Sequence, residues 1–133
     1  MKKAIIISGS IILAIVVIFF SLYFIATTPK NAGDFSVGEF TEHIENKHFQ
    51  TDKNYGKITD YKSAAAAGKT AILDHFENSE GGLFEWRGCS VKYDKASETY
   101  YVQTYHLTPM MFGGGYGVIL QSDGTVLAIW GEK

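Results

Sequence analysis

From residue 4 to residue 26 the chain carries no charged side chain: AIIISGSIILAIVVIFFSLYFIA. As a helix this run extends roughly 35 Å, enough to cross the hydrocarbon core of a bilayer. Lys2 and Lys3 precede it, and positive charge beside an apolar helix stays on the cytoplasmic side. The expectation is a cytoplasmic N-terminus at residues 1–3, a single transmembrane helix at 4–26, and an extracytoplasmic remainder. A buried core helix is a poor alternative, because the run has no polar face to show to water. A cleaved signal peptide normally has a shorter apolar region followed by a small-x-small site. Ala26 and Thr28 are small enough, but Pro29 would follow that cut, and Phe24 spoils a cut after Ala26. No cysteine lies near residue 26 to accept a lipid.

With the anchor set aside, the 133-residue chain has room for one modest domain. Lys2, Lys3 and Lys30 take three of the twelve basic residues, leaving nine against fourteen acidic ones from Asp34 onward, a formal balance of −5. Nucleic acid calls for a basic face, so it is disfavoured as a partner. Cys89 is the only cysteine. No disulfide within the chain and no cysteine-based metal cluster can form, and a lone thiol is most simply a small buried apolar residue.

Residues 27–38, TTPKNAGDFSVG, lack periodicity and read as a linker. The domain is expected at 39–133. Phe40, Ile44 and Phe49 fall at roughly helical spacing, which predicts a short amphipathic helix. QTDKNYGKIT interrupts it. Asp60 is placed to cap a second helix, YKSAAAAGKTAILDHFENS, with Tyr61, Ala64, Ala65, Gly68, Ala71, Ile72 and Phe76 along one side. The small residues make that side narrow enough to lie close against a sheet. SEGG at 79–82 supplies glycine for a left-handed end.

After Gly82 the period becomes two. LFEWRGCSVKYD predicts a strand or two, KASE a turn, and TYYVQTYHL, GYGVILQ and TVLAIWG three further strands. The last pair is joined by SDGT, in which Gly124 can take positive φ. Two helices followed by about four strands predict an α+β domain with an antiparallel sheet.

PMMFGGGYGVIL, from Pro109 to Leu120, invites a phosphate-binding reading. A phosphate cradle sets its glycines between a strand and a helix N-terminus. Here they lead into strand, turn and strand, with no Gly-Lys-Ser/Thr, so a hinge or bulge in the sheet is the better reading. Met110, Met111 and Phe112 then plug the end of the sheet or form an exposed apolar loop.

ITDYKSAAAAGKTAIL, then VKYDKASETYYVQTY, then the glycine run and GVILQSDGTVLAIWGEK form a series. It resembles the bacterial immunity proteins with a nuclear-transport-factor-like fold, over roughly residues 58–133. The matching positions are Tyr101 and Val102 of the aromatic strand, Gly113 to Gly115, and Asp123, Gly124 and Val126 near the end. The family's usual strand tryptophan is tyrosine here. The resemblance implies a curved, cone-shaped α+β fold and a non-catalytic protein that binds and neutralises a toxin. Given the anchor, that toxin would act at the membrane or outside it.

Interfaces favour tyrosine, tryptophan and arginine, which Trp86, Arg87, Tyr100, Tyr101, Tyr105, Tyr116 and Trp130 supply. Tyr101, Gln103 and Tyr105 share one face of their strand, and Tyr100, Val102, Thr104 and His106 the other. The face with Val102 is expected in the core. Tyr101, Gln103 and Tyr105 are therefore the expected exposed set, and with Trp86 and Arg87 the candidate partner-binding residues.

Asp74, His75, Glu77, Glu85 and His106 are the candidates for acid–base chemistry. Asp74 and His75 are adjacent on a helix and point about 100° apart. His106 is the best single candidate, though a lone histidine on an apolar face is more often a satisfied core residue. His43 and His48 are five apart, where a helical zinc pair wants three or four. The small residues of SGS at 8–10 offer only a weak helix-packing face. The expected protein is not an enzyme and needs no cofactor or metal; an accessory or sensory role in the cell envelope with no toxin partner is the main alternative to immunity, and an enzyme with a small-molecule pocket the lesser one.

Overall fold

The structure, a computed structural model, describes residues 2–46, 53–76, 87–106 and 115–131. The chain begins with a 26-residue helix, α1 (Lys2–Thr27). Within it, Ile6–Ile25 is long and apolar enough to cross a membrane and is not buried against the rest of the chain; a signal sequence meets the same description. The rest is α+β. After α1 come strand β1 (Lys30–Asp34), a single 3₁₀ turn (Val37–Phe40) and the short helix α2 (Thr41–Glu45). Helix α3 (Tyr61–His75) and strands β2 (Arg87–Asp94), β3 (Thr99–His106), β4 (Tyr116–Gln121) and β5 (Val126–Gly131) follow.

The five strands form one open sheet in the order β1-β2-β3-β4-β5. The expected four antiparallel strands are β2 to β5. The expectation of a purely antiparallel sheet is corrected by β1, which pairs parallel to β2 with Lys30 opposite Ser90 and Asn31 opposite Val91. β1 lies inside the stretch expected as a linker, residues 27–38. KNAGD has no apolar alternation because all five residues are exposed on an edge strand. Its pairing is carried by the backbone, which leaves no trace in side-chain pattern.

α3 forms as its sequence implies. The Asp60 carboxylate accepts the Ser63 N–H at 2.7 Å, and the Ser63 hydroxyl accepts the Asp60 N–H at 3.1 Å, so two orphan donors of the first turn are satisfied reciprocally. These bonds hold the Asp60 carboxyl below the usual carboxylate range, the Ser63 N–H first among them. The helix ends at His75, with Phe76 as its cap, four residues earlier than expected; SEGG lies outside the described residues. Ala64, Ala65, Ala67, Gly68, Ala71 and Ile72 are buried against β2, β3 and β4. A methyl group on Gly68 would stand 2.7 Å from the Val102 side chain, so glycine sets how close helix and sheet come.

The first face of the sheet, under α3, contributes Cys89, Val91, Tyr100, Val102, Val118, Leu120 and Val126. Burial pushes the Cys89 thiol up, as expected for a packed, inert side chain. The β4–β5 turn follows its sequence too. Gly124 has φ +93°, and a Cβ there would meet the Gly56 carbonyl oxygen at 2.4 Å. The irregular segment before α3 leans on this turn through Tyr55 N–H to the Gly124 carbonyl at 3.1 Å and Ile58 N–H to the Ser122 carbonyl at 2.8 Å.

Candidate interaction surface

The second face of the sheet is built in rows by strand register. Lys92, Tyr101, Ile119 and Ala128 stand side by side; Ser90, Gln103, Gly117 and Trp130 form the next row; Gly88 and Tyr105 the one after. Directly opposite residues share a face. A register shift in β5 between its pairs with Ile119 and Leu120 lets Leu127 and Ala128 both join this side.

The first row is covered. The chain leaving β1 crosses over it, bringing Phe35, Val37, Phe40 and Ile44 against Tyr101, Ile119 and Ala128. The Phe40 ring lies 4.7 Å from Tyr101 and the Phe35 ring 5.8 Å. Asp94 ties this strap to the sheet: its carboxylate accepts the Val37 N–H at 2.9 Å, the Ser97 hydroxyl at 2.8 Å and the Ala96 N–H at 3.0 Å. The Val37 N–H is the main reason the carboxyl sits below its ordinary range, with the Ser97 hydroxyl next.

Tyr101 is therefore not exposed. It retains 6% of its accessible surface, and the expectation that its face of β3 looks outward is corrected at this row. Gln103 and Tyr105, further along the same face, are half-buried. Arg87 opens β2 opposite His106; the side chains of both, and Trp86 entirely, lie outside the described residues, as do Met110, Met111 and Phe112.

Past the strap the described residues leave the face half-exposed and mixed in character. Trp130 lies flat over Gly117, where a Cβ would come within 2.5 Å of the indole. Tyr105 lies over Gly88, where a Cβ would come within 2.2 Å of the phenol ring. Each glycine substitutes bare backbone for a side chain, so that an aromatic ring can rest on the sheet. The exposed imidazole of His43 stacks on Trp130 at 4.3 Å and 12°, and Trp130 is nearly parallel to Tyr101 beneath the strap, at 5.7 Å and 14°. The result is a strip of His43, Trp130, Gln103, Ser90 and Tyr105: two large rings, an imidazole, an amide and a hydroxyl. Sequence reasoning missed Ser90, weighed His43 only as half of a zinc pair with His48, and counted Trp130 only as one of several aromatics. The available signal was the pairing of Gly88 and Gly117 with an aromatic one strand away, which needs the register to be visible.

Of the acid–base candidates only Asp74 and His75 have described side chains, and they stand at neighbouring positions of α3. Asp74 is exposed, accepts hydrogen bonds from Lys53 at 3.2 Å and Tyr55 at 3.1 Å, and is held below the ordinary carboxylate range by Lys53 first and Tyr55 second. His75 is exposed on the next position. Glu77 and Glu85 lie outside the described residues. An open groove of about 300 Å³ runs beside α3, lined by Tyr55, Lys57, Ile58, Ser63, Ala66, Ala67 and Thr70. It brings a single charged side chain, Lys57, to an otherwise apolar and hydroxyl-bearing lining. Among the described residues no group of three or more histidine, cysteine or acidic side chains is placed to hold a metal. Comparison with known families, curated proteins and solved structures finds no match to this chain.

Proposed function

We propose that this chain is a single-pass membrane protein whose N-terminus is cytoplasmic and whose α+β domain binds a protein outside the membrane without catalysing a reaction. The observation that carries the binding role is the half-exposed strip of the second sheet face. It combines aromatic rings laid flat on the sheet with an amide, a hydroxyl and an imidazole, the mixture that fills the centres of protein interfaces. Trp130 and Tyr105 are fixed over glycines, so ordering them costs little on binding.

The partner class comes from the sequence resemblance alone: an immunity-type domain, cone-shaped and nuclear-transport-factor-like over residues 58–133, that occludes a toxin acting at the envelope. α3 lying across β2 to β4 is compatible with that fold. The test is capture from membranes with the full-length chain, comparing wild type with Gln103→Ala/Tyr105→Ala. Loss of one captured protein in a variant that keeps its melting temperature supports a binding face. If that protein is toxic on its own and the full chain protects cells, the immunity reading holds. Capture unchanged by the double substitution overturns this surface, and the accessory or sensory envelope role becomes the better one.

A further inference from the structure

The sheet separates two buried clusters. Under α3 lies the larger one, and under the strap lie Tyr101, Ile119 and Ala128. The two share no residue, so lifting the strap leaves α3 and its face of the sheet packed.

The strap is lightly held. No residue of its 3₁₀ turn or of α2 is buried, and Phe35, Val37, Phe40 and Ile44 are half-buried. Ser36 and Phe40 stand before the two helical pieces, and neither caps its piece with a side-chain bond. α2 has five residues, too few to persist as a helix without packing. Two backbone donors tie the strap to the sheet at the end next to β1: Phe35 N–H to the Tyr93 carbonyl at 3.3 Å, and Val37 N–H to the Asp94 carboxylate at 2.9 Å. Further along it lies on rings, with Phe40 at 4.7 Å from Tyr101 and 5.5 Å from Trp130.

What the strap covers continues the candidate surface. Trp130 of the strip is nearly parallel to Tyr101 beneath the strap, so the two rows form one aromatic surface. Uncovered, Tyr101, Ile119 and Ala128 give the mixed strip an apolar centre, which is the anatomy of a protein interface. The strap matches that surface in chemistry. Its apolar side chains pack on the sheet, while Glu39, Glu42 and Glu45 are exposed.

We infer that the strap, Phe35 to Asn46, is a displaceable occupant of the partner surface. It opens as a unit while α3 and the sheet stay folded, and a segment of the same chemistry can take its place. A partner then reaches the whole surface only by displacing the strap, and its apparent affinity falls with the closed fraction. That last step rests on the binding role proposed above; the opening itself does not.

The test uses the full chain in detergent. The first readout is amide hydrogen exchange. Val37 N–H donates to Asp94 and Asn46 N–H to the Glu42 carbonyl at 3.0 Å, and these two amides stand on either side of Phe40. Both are expected to exchange on the order of 100-fold faster than the amides of Val102 and Ile72. Phe40→Ala should speed both together and leave Val102 and Ile72 unchanged. In Asp94→Asn the Asn46 amide should speed as well, although its own hydrogen bond is untouched. The second readout is binding of a fluorescein-labelled synthetic peptide of residues 34–46. It should bind Phe40→Ala at least about tenfold more tightly than the wild type, because its intact ring competes with a weakened strap. Adding Asp94→Asn to Phe40→Ala should weaken the peptide again, because it docks on the same carboxylate.

Val37 and Asn46 amides that exchange as slowly as Val102, or that respond separately to Phe40→Ala, overturn the opening. Val102 and Ile72 losing protection together with the strap show one cooperative core, which also overturns it. A strap that opens, with a peptide that binds neither variant or binds wild type and Phe40→Ala alike, overturns the displacement. The strip of Gln103 and Tyr105 then still stands or falls by its own capture test.

Discussion

The two faces of the sheet bury comparable rows of side chains by opposite means. The first is closed by α3, a regular helix whose contact side is alanine and Gly68, so that helix and sheet backbones come close over Val102. The second is closed only in part, by an irregular strap whose contacts are large rings: Phe35 and Phe40 on Tyr101, with Trp130 alongside. Small residues on a helix allow close approach at many points. Large rings on a strap fill the wider gap that an irregular backbone leaves, and stop where the strap stops. The remainder, half-exposed among the described residues, is the candidate interaction surface.

The largest expected effect comes from treating Tyr101 as a core residue. Tyr101→Ala should cost about 4 kcal/mol of stability, the range for removing a buried aromatic side chain. Urea unfolding of the full chain in detergent checks it, and a cost near zero would mean that the strap does not cover the second face. On the first face, Gly68→Val should cost about 3 kcal/mol by overpacking against Val102. A smaller loss than from Tyr101→Ala is expected because the helix can shift slightly, whereas a deleted ring leaves a cavity.

Acid should loosen the two faces unequally. The Asp94 carboxyl is held below its ordinary value in the folded chain by the Val37 N–H, so it favours the fold at any pH above the unfolded value of about 3.9. That contribution is lost as pH falls through the lower folded value. The strap should therefore loosen on acidification, seen as loss of the Tyr101 and Trp130 ring contacts by NMR; the Asp60 cap weakens in the same direction, but α3 amides beyond its first turn should stay protected because the alanine side of the helix is held in the core. In Asp94→Asn this early step should be absent, because the variant has already lost the charged acceptor at neutral pH. Simultaneous loss of both covers would show that Asp94 is not what holds the strap.

The smallest effect on stability is expected on the half-exposed strip. Tyr105→Ala and Gln103→Ala should each change stability by less than about 1 kcal/mol, since both side chains are only half-buried. Circular dichroism melting distinguishes these from Tyr101→Ala, which stands on the same face of the same strand.

That contrast marks the limit of what strand alternation can say. Period two assigns Tyr101, Gln103 and Tyr105 to one face, and the structure places them there. It does not say what lies over that face, because the cover comes from Phe35 to Ile44, far away in the chain. Asp60 as a cap, the buried side of α3, Gly124 in its turn and the four strands of the meander were all legible, because each depends on neighbours within a few residues. β1 was not, because its five exposed residues are held by backbone hydrogen bonds to β2. His43 on Trp130, and the rings resting on Gly88 and Gly117, were hidden for the same reason: each is a pairing across strands or elements.

By itself the sequence determined an uncharged run long enough to span a membrane, a helix with a narrow small-residue side, and an antiparallel meander after it. These follow from local composition and from the 3.6 and 2.0 periods of helix and strand. Tertiary structure alone decided that residues 30–34 join the sheet, and that Tyr101 is buried while Gln103 and Tyr105 are only half-buried. Those outcomes depend on register and on which distant segment covers which row, and neither is written in the order of residues along a single strand.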